Sequence, residues 1–465
     1  MEFSTRLIKQ IAPEAVFSGV AISNEPFTYL NCAVPTGELS NRIDTTRTLY
    51  FPVHEENVEV LNWYENDFDR RPHLDKLSSA NPEWVFVLDD SCKNVSVKSA
   101  IIVPDVYELI EKLYRFVLRK VKPIVVGVTG SVGKTTAAAM LESGLGTQLK
   151  CLRLYSKRIT PLVLWASIIN FLDRSIRVVI VEIAIYEKGH VKWFSDNISL
   201  DISVILNVRR MHIGSAGADE NEILHEKAEI VRKNSIAVLN YDDDLIRSHS
   251  IFLEHSRIQW FSIDELQDEF LVTHQGQGVF NVYVKGVYLF DVTLFLATEL
   301  SVYQALVTFT VARLLNLNLV VVAGGVSKFS GREGRLIQKN IKGLRVFFDG
   351  ETSYPARLHE LSKNLYDRSA LLVSELNFGE QDLDLICEDF PLAISNFDLV
   401  RISTDVVIPK RLKDLLVSLS KANIQFTSDL IEDLDGYSIV FYHHGGERHA
   451  DTGFCCGIKN QKKGS

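Results

Sequence analysis

The run VVGVTGSVGKTTAAAM, Val125 to Met140, decides how the rest of the chain is read. A β-branched apolar segment enters a glycine-rich turn, then Lys134, Thr135 and Thr136, then an alanine-rich stretch of high helix propensity. Strand, turn and helix in that order gather backbone N–H groups and the positive end of a helix dipole around one point, which suits a phosphate. The expected nucleotide contacts are Gly130, Ser131, Gly133, Lys134, Thr135 and Thr136. Lys134 would reach the β and γ phosphates, and the Thr135 hydroxyl would bind Mg²⁺. The common pattern places a glycine five residues before Gly133, where this chain has Val128; its glycines fall at Gly127, Gly130 and Gly133. This variant register counts against a generic GTPase, kinase or motor.

The flanking sequence is α/β in character. VVIVEIAIY, DISVILNV and SIAVLNY are apolar, β-branched runs of the kind buried in parallel sheets, with helical segments such as ENEILHEKAEIVRK between them. Ligands are expected at the carboxyl ends of such strands. Glu182 ends one strand there, and Asn207 and His212 follow the end of the next, so a second hard cation has oxygen and nitrogen donors at hand. Upstream, DVYELIEKLYRFVLRK spaces Val106, Leu109, Ile110, Leu113 and Phe116 as one helix face. Downstream, LRVFFDG, ALLVSEL, FDLVRIS and YSIVFYH alternate with helical segments. The expected domains are an N-terminal substrate-binding domain at 1–118, an ATP-binding domain at 119–337 and an α/β domain at 338–465.

Bulk properties fit a soluble globular chain. Of 465 residues, 46% are hydrophobic and 23% charged, and the net charge of -9 argues against a nucleic-acid partner. No apolar run approaches the roughly 20 residues that span a bilayer, and MEFSTRLIKQ lacks the character of a secretory signal. Six cysteines without a framework spacing point to reduced thiols and a cytoplasmic setting.

Five blocks, GVTGSVGKTT, VEIAIYEKG, ILNVRRMHIGSAGADENEILHEKAEIV, AVLNYDDD and GREGRL, resemble in sequence and order those of the Mur ligase family. They are most similar to the members that add D-alanyl-D-alanine to a UDP-muramoyl tripeptide. The resemblance implies a three-domain architecture with a central phosphate-loop, parallel-sheet domain and a C-terminal Rossmann-like domain. It implies an ADP-forming carboxylate–amine ligase that uses ATP and two Mg²⁺ ions, with small-molecule carboxylate and amine substrates. By position, Lys134 and Thr135 would bind ATP and the first metal, while Glu182, His212 and a carbamylated Lys227 would hold the second. Arg335, with Arg332 as its rival in GREGRL, would contact phosphates, and Asp349 would approach the nucleotide from the C-terminal domain. Without the resemblance, Lys227 reads as an exposed helix charge.

Both ends depart from the family pattern. ELSVYQAL places Ser301 and Gln304 where the family has adenine-side asparagines, with Gln304 still able to bond a purine edge. The serine–arginine signature associated with nucleotide-sugar binding is missing from the N-terminal segment, and YHHGGERH replaces a lysine–glycine–serine–arginine block. A substrate other than the standard cell-wall precursor is therefore expected. The alternatives are a cell-wall UDP-muramoyl-peptide ligase proper and an ATP-binding, non-catalytic partner subunit. His443, His444, His449, Cys455 and Cys456 offer zinc donors at a spacing that fits no familiar finger, so a polar loop is the expectation.

Overall fold

The computed structural model describes residues 3–32, 47–53, 69, 71–92, 95–154, 159–185, 187–211, 217–249, 257–263, 270–276, 278–331, 335–341, 344–350, 353–363, 365, 368–378, 381–418 and 423–444. They divide into two compact units, residues 1–126 with 149–184, and residues 127–148 with 185–465.

The first unit opens with β1 (Phe3–Ser4), α1 (Thr5–Ile11), β2 (Val16–Ser18), β3 (Pro26–Phe27), β4 (Tyr29–Asn31) and β5 (Thr48–Tyr50). It continues through α2 (Leu74–Ala80), β6 (Val85–Leu88), β7 (Ala100–Ile102) and α3 (Val106–Val121). Strands β2, β7, β6, β5 and β4 form a sheet in that order, parallel except where β2 meets β7. The Asp105 carboxylate caps α3 by accepting from the Tyr107 and Glu108 amides. The buried stripe of α3 runs through Val106, Leu109, Ile110 and Leu113 as expected, with Tyr107, Tyr114 and Val117 added and Phe116 left off it. Tyr114 packs on Trp165 of a later helix of the same unit.

Strand β8 (Ile124–Thr129) leads into α4 (Lys134–Leu145), then β9 (Cys151–Leu154), α5 (Pro161–Phe171) and β10 (Val178–Glu182). Here β9 and β10 pair in parallel within the first unit. The second unit continues with α6 (His190–Asn197), β11 (Ile202–Ile205), α7 (Glu220–Ala228), β12 (Ile236–Asn240), α8 (Asp244–Ser248) and β13 (Ile258–Phe261). In it, the end of β8 lies beside β11, and β11, β12 and β13 follow as parallel neighbours. Strands β11 and β12 are buried on both faces, which their continuous apolar sequences require, while β13 at the sheet edge is half-buried over its first three residues.

An antiparallel sheet of β14 (Phe270–Gly276), β15 (Val279–Val284) and β16 (Val287–Thr293) precedes α9 (Glu299–Leu314) and α10 (Leu319–Ser327). Helices α9 and α10 both pack on α4. The last sheet takes β17 (Arg335–Ile341), β18 (Leu344–Asp349), β19 (Ser369–Glu375), β20 (Leu399–Ser403), β21 (Ile424–Thr427) and β22 (Ile439–His444), covered by α11 (Pro355–Ser362), α12 (Leu383–Ile394) and α13 (Lys410–Ser418). Its order is β17-β18-β22-β19-β20-β21, with only β17 antiparallel to its neighbour. Val346, Phe348, Leu372 and Val440 form the core on one face. The chain is thus α/β with parallel sheets, as the sequence predicts.

Candidate active site

Strand β8 delivers the glycine-rich turn to the edge of its sheet. Thr129 O accepts from Leu206 N at 3.0 Å, so the strand is still paired at its last residue. Its hydroxyl Oγ1 is buried and has no hydrogen-bond partner among the described residues. Gly133 then takes φ +87° to start α4, a conformation that L side chains rarely adopt. A Cβ there would sit 2.9 Å from Gln304 Nε2 and 3.0 Å from Leu300 Cδ1, so those side chains would have to shift on top of the backbone strain.

Asn207, just past β11, shapes the turn. Its Oδ1 accepts from the Ser131 and Val132 amides at 3.0 and 2.8 Å, and its Nδ2 donates to Val132 O at 3.0 Å. The Ser131 hydroxyl donates to Arg209 O and accepts from Arg209 N. The amides of Ser131 and Val132 are therefore committed to holding the loop. At the start of α4, Gly133, Thr135 and Thr136 line a cleft. Lys134 folds back over the turn, with Nζ donating to Gly130 O at 2.9 Å and Ser131 O at 3.1 Å. That posture places an ammonium within the cradle.

The cleft continues past Phe295, Leu300, Ser301 and Gln304 on one side and Leu336, Arg357 and Leu361 on the other. Gln304 is buried and donates from Nε2 to Gly133 O at 3.3 Å, so this side chain ties α9 to the loop. Ser301 lies in the first turn of α9, where its amide donates to the capping Thr298 hydroxyl.

Lys227 stands on α7 and is only 2% exposed, which overturns its reading as a solvated helix charge. Burial, and then the nearby Lys134 ammonium, push its pKa well below the ordinary lysine range, with Glu226 opposing them. The Glu226 carboxylate is engaged elsewhere: it accepts from the Gly189 and Val191 amides at the N-terminus of α6. Glu182 is the last residue of β10, half-buried, in the first unit. His212 and Arg332 lie outside the described residues, as do His449, Cys455 and Cys456. Arg335 opens β17 and is the register partner of Asp349 on β18.

Asp349 is buried, and its oxygens receive Arg357 Nη1 and Nη2 at 2.5 Å each and face His443 Nδ1 at 3.0 Å. Burial alone would raise its pKa, but the Arg357 and His443 neighbours outweigh it and hold the carboxyl well below the usual range. His443, read from sequence as a zinc donor or loop residue, is instead a buried strand residue of β22. Among the described residues no cluster of three metal-ligating side chains occurs.

Sequence reasoning missed the Arg209 centre. Arg209 pairs with Asp243 and Glu360 at 2.6 Å each, and both carboxylates are buried. Burial disfavours its charge, but the two carboxylates outweigh that and hold its pKa above the usual value. It also missed Arg357. The partners of Arg209 lie 34 and 151 positions away, and Arg357 lies eight residues from Asp349, a spacing that neither helical nor strand periodicity encodes.

Residues 128–312 match the Mur ligase middle domain. The UDP-N-acetylmuramoyl-tripeptide–D-alanyl-D-alanine ligase of Borreliella burgdorferi is 23% identical over 247 residues, covering 52% of each chain. The chain therefore spans about half the length of this curated relative. Among solved structures, MurF from Acinetobacter baumannii superposes with a TM-score of 0.73 at 16% identity, covering 100% of this chain and 99% of that one. MurF ligase from Thermotoga maritima in complex with ADP gives 0.71 at 18% identity, over 90% and 96%. Residues 128–312 thus match the Mur ligase middle domain, and the chain shares the fold of solved Mur ligases.

Proposed function

We propose that the chain is an ATP-dependent, ADP-forming ligase that joins a carboxylate to an amine, on a substrate differing from the standard cell-wall precursor. The observation that carries this reading is the phosphate loop itself: an Asn207-braced turn with Lys134 folded over it and buried Lys227 close by. The amides at the start of α4, where Gly133, Thr135 and Thr136 line the cleft, suit a polyphosphate.

In the proposed reaction a carboxylate oxygen attacks the γ phosphorus and ADP leaves. The amine then attacks the acyl carbon, loses a proton and expels phosphate. Lys134 offsets the repulsion between carboxylate and triphosphate, and Mg²⁺ held by Thr135, Glu182, His212 and a carbamylated Lys227 would supply further charge neutralisation. Burial suits Lys227 for the carbamate, since an uncharged amine is the form that adds to CO₂. Gly130, Ser131, Gly133 and Thr136 complete the loop. Gln304, Arg335 and Asp349 belong to its surroundings.

We assign the substrate role to residues 1–118, nucleotide binding to 119–337 and closure over the nucleotide to 338–465, in a cytoplasmic enzyme with neither nucleic-acid nor membrane partner. No helix among the described residues is long and apolar enough to cross a membrane. The relatives' names favour, as a second reading, a UDP-muramoyl peptide as the carboxylate substrate.

ATP turnover with pooled carboxylates and amines, read by mass spectrometry, should yield an amide together with ADP and phosphate. A stable phosphorylated product without amide would make the chain a kinase, and ATP binding without turnover would make it a non-catalytic subunit. Lys227→Ala should abolish turnover, and bicarbonate should stimulate only the parent chain. Equal activity of both, with or without bicarbonate, refutes the carbamate.

A further inference from the structure

Behind the cleft a chain of buried polar groups ends in one cation. Ser353 Oγ lies 2.7 Å from His443 Nε2, and His443 Nδ1 lies 3.0 Å from Asp349 Oδ2. That connectivity is the one found in serine hydrolases. Here it has no access to substrate: Ser353 is fully buried, and its Oγ already accepts the Asn377 amide at 2.9 Å. What the chain of groups does is fix Asp349, and Asp349 in turn grips Arg357 through two parallel hydrogen bonds.

We propose that Arg357 contacts the phosphates of the bound nucleotide, and that Ser353, His443 and Asp349 are positioning residues that aim it. The proposal rests on the nucleotide reading given above. Arg357 lines the same cleft as Gly133, Thr135 and Thr136. Asp349 is buried and held by Arg357 on one side and His443 on the other, so it is Arg357 that reaches the cleft. The bidentate grip also fixes the plane of the fork, the kind of support that makes a binding group geometrically exact. The competing role for Arg357 is to neutralise a buried carboxylate and nothing more.

Calorimetric titration of the full chain with ATP, ADP and adenosine separates these roles. Arg357→Met should weaken ATP and ADP binding about ten- to a hundredfold, the loss of a charge-assisted contact, and leave adenosine unchanged. Arg357→Lys keeps a positive partner for Asp349 and should show a smaller loss of the same selectivity, which carries the test if Arg357→Met does not fold. His443→Leu should follow Arg357→Lys, while His443→Gln, which keeps a donor toward Asp349, retains most of the affinity. Equal weakening of adenosine and ATP, or unchanged ATP binding in both Arg357 variants, overturns the proposal alone. A parent chain that binds no adenine nucleotide defeats the nucleotide reading before any substitution is made.

Discussion

Two polar sites meet at one cleft, the second only through Arg357, and they are built in opposite ways. The phosphate loop is made of backbone: glycines, helix-start amides and one carboxamide, Asn207, that braces two amides at once. The site behind β18 and β22 is made of side chains, Ser353, His443, Asp349 and Arg357, each satisfied by the next. A backbone site tolerates the loss of many side chains but not the gain of a Cβ. A side-chain site tolerates crowding at its margins but not the loss of a charge, because a buried ion left without its partner is costly.

Arg209 belongs to both designs, and removing it should have the largest effect on stability. Its amide and carbonyl hold the Ser131 hydroxyl, while its guanidinium bridges Asp243, after β12, and Glu360, on α11. Arg209→Met leaves two buried carboxylates facing each other and should cost about 3–5 kcal/mol in denaturant unfolding. Glu360→Gln in the Arg209→Met background should recover part of that loss. A cost under about 1 kcal/mol would show that the two carboxylates are relieved by other means, and that the two sites are energetically separate.

Asp349→Asn isolates the side-chain site, with an expected cost of roughly 2–4 kcal/mol at neutral pH. Its sign with pH is fixed by the direction of the shift. The folded carboxyl titrates below its ordinary value of about 3.9, so its contribution is fully present above that pH and is lost as pH falls through the folded value. The stability gap between parent and Asp349→Asn should therefore be flat from pH 7 to about 5 and narrow below about 4. A gap that widens on acidification contradicts the assignment of the charge to Asp349.

The same contrast explains what was legible in the sequence. The loop and its strand–turn–helix setting could be read because all their determinants lie between Val125 and Met140, and β8, β10, β11 and β12 could be read from continuous apolar runs. The α7 helix ends at Ala228, well before the charged tail of its helical segment, because the chain turns there to enter β12. Burial of Lys227 was invisible: helical spacing gives a face, but not whether that face is covered. The Arg209 and Arg357 centres were invisible for a different reason. Arg209 joins residues up to 151 positions apart that only the packing of α11 brings together, while Arg357 and Asp349 are eight residues apart, a separation that neither helical nor strand periodicity encodes. His443 shows the cost of reading composition alone, since the polar run around it reads as a loop where the sheet makes it a strand residue and a partner for Asp349.

Gly133→Ala tests the backbone site with the smallest expected effect on stability, about 1–3 kcal/mol. Two terms contribute and can be separated. The positive φ at Gly133 is strained for any L residue, and the new methyl would also press on Gln304 Nε2 and Leu300 Cδ1. Gln304→Ala removes the first of those contacts together with the bond to Gly133 O. If crowding dominates, the double substitution should cost about 0.5–1 kcal/mol less than the sum of the singles, since neighbouring sites couple on that scale. If backbone strain dominates, the costs should add, because φ is untouched by trimming Gln304. Additivity would mean that the loop owes its shape to glycine alone, and coupling that α9 helps to mould it.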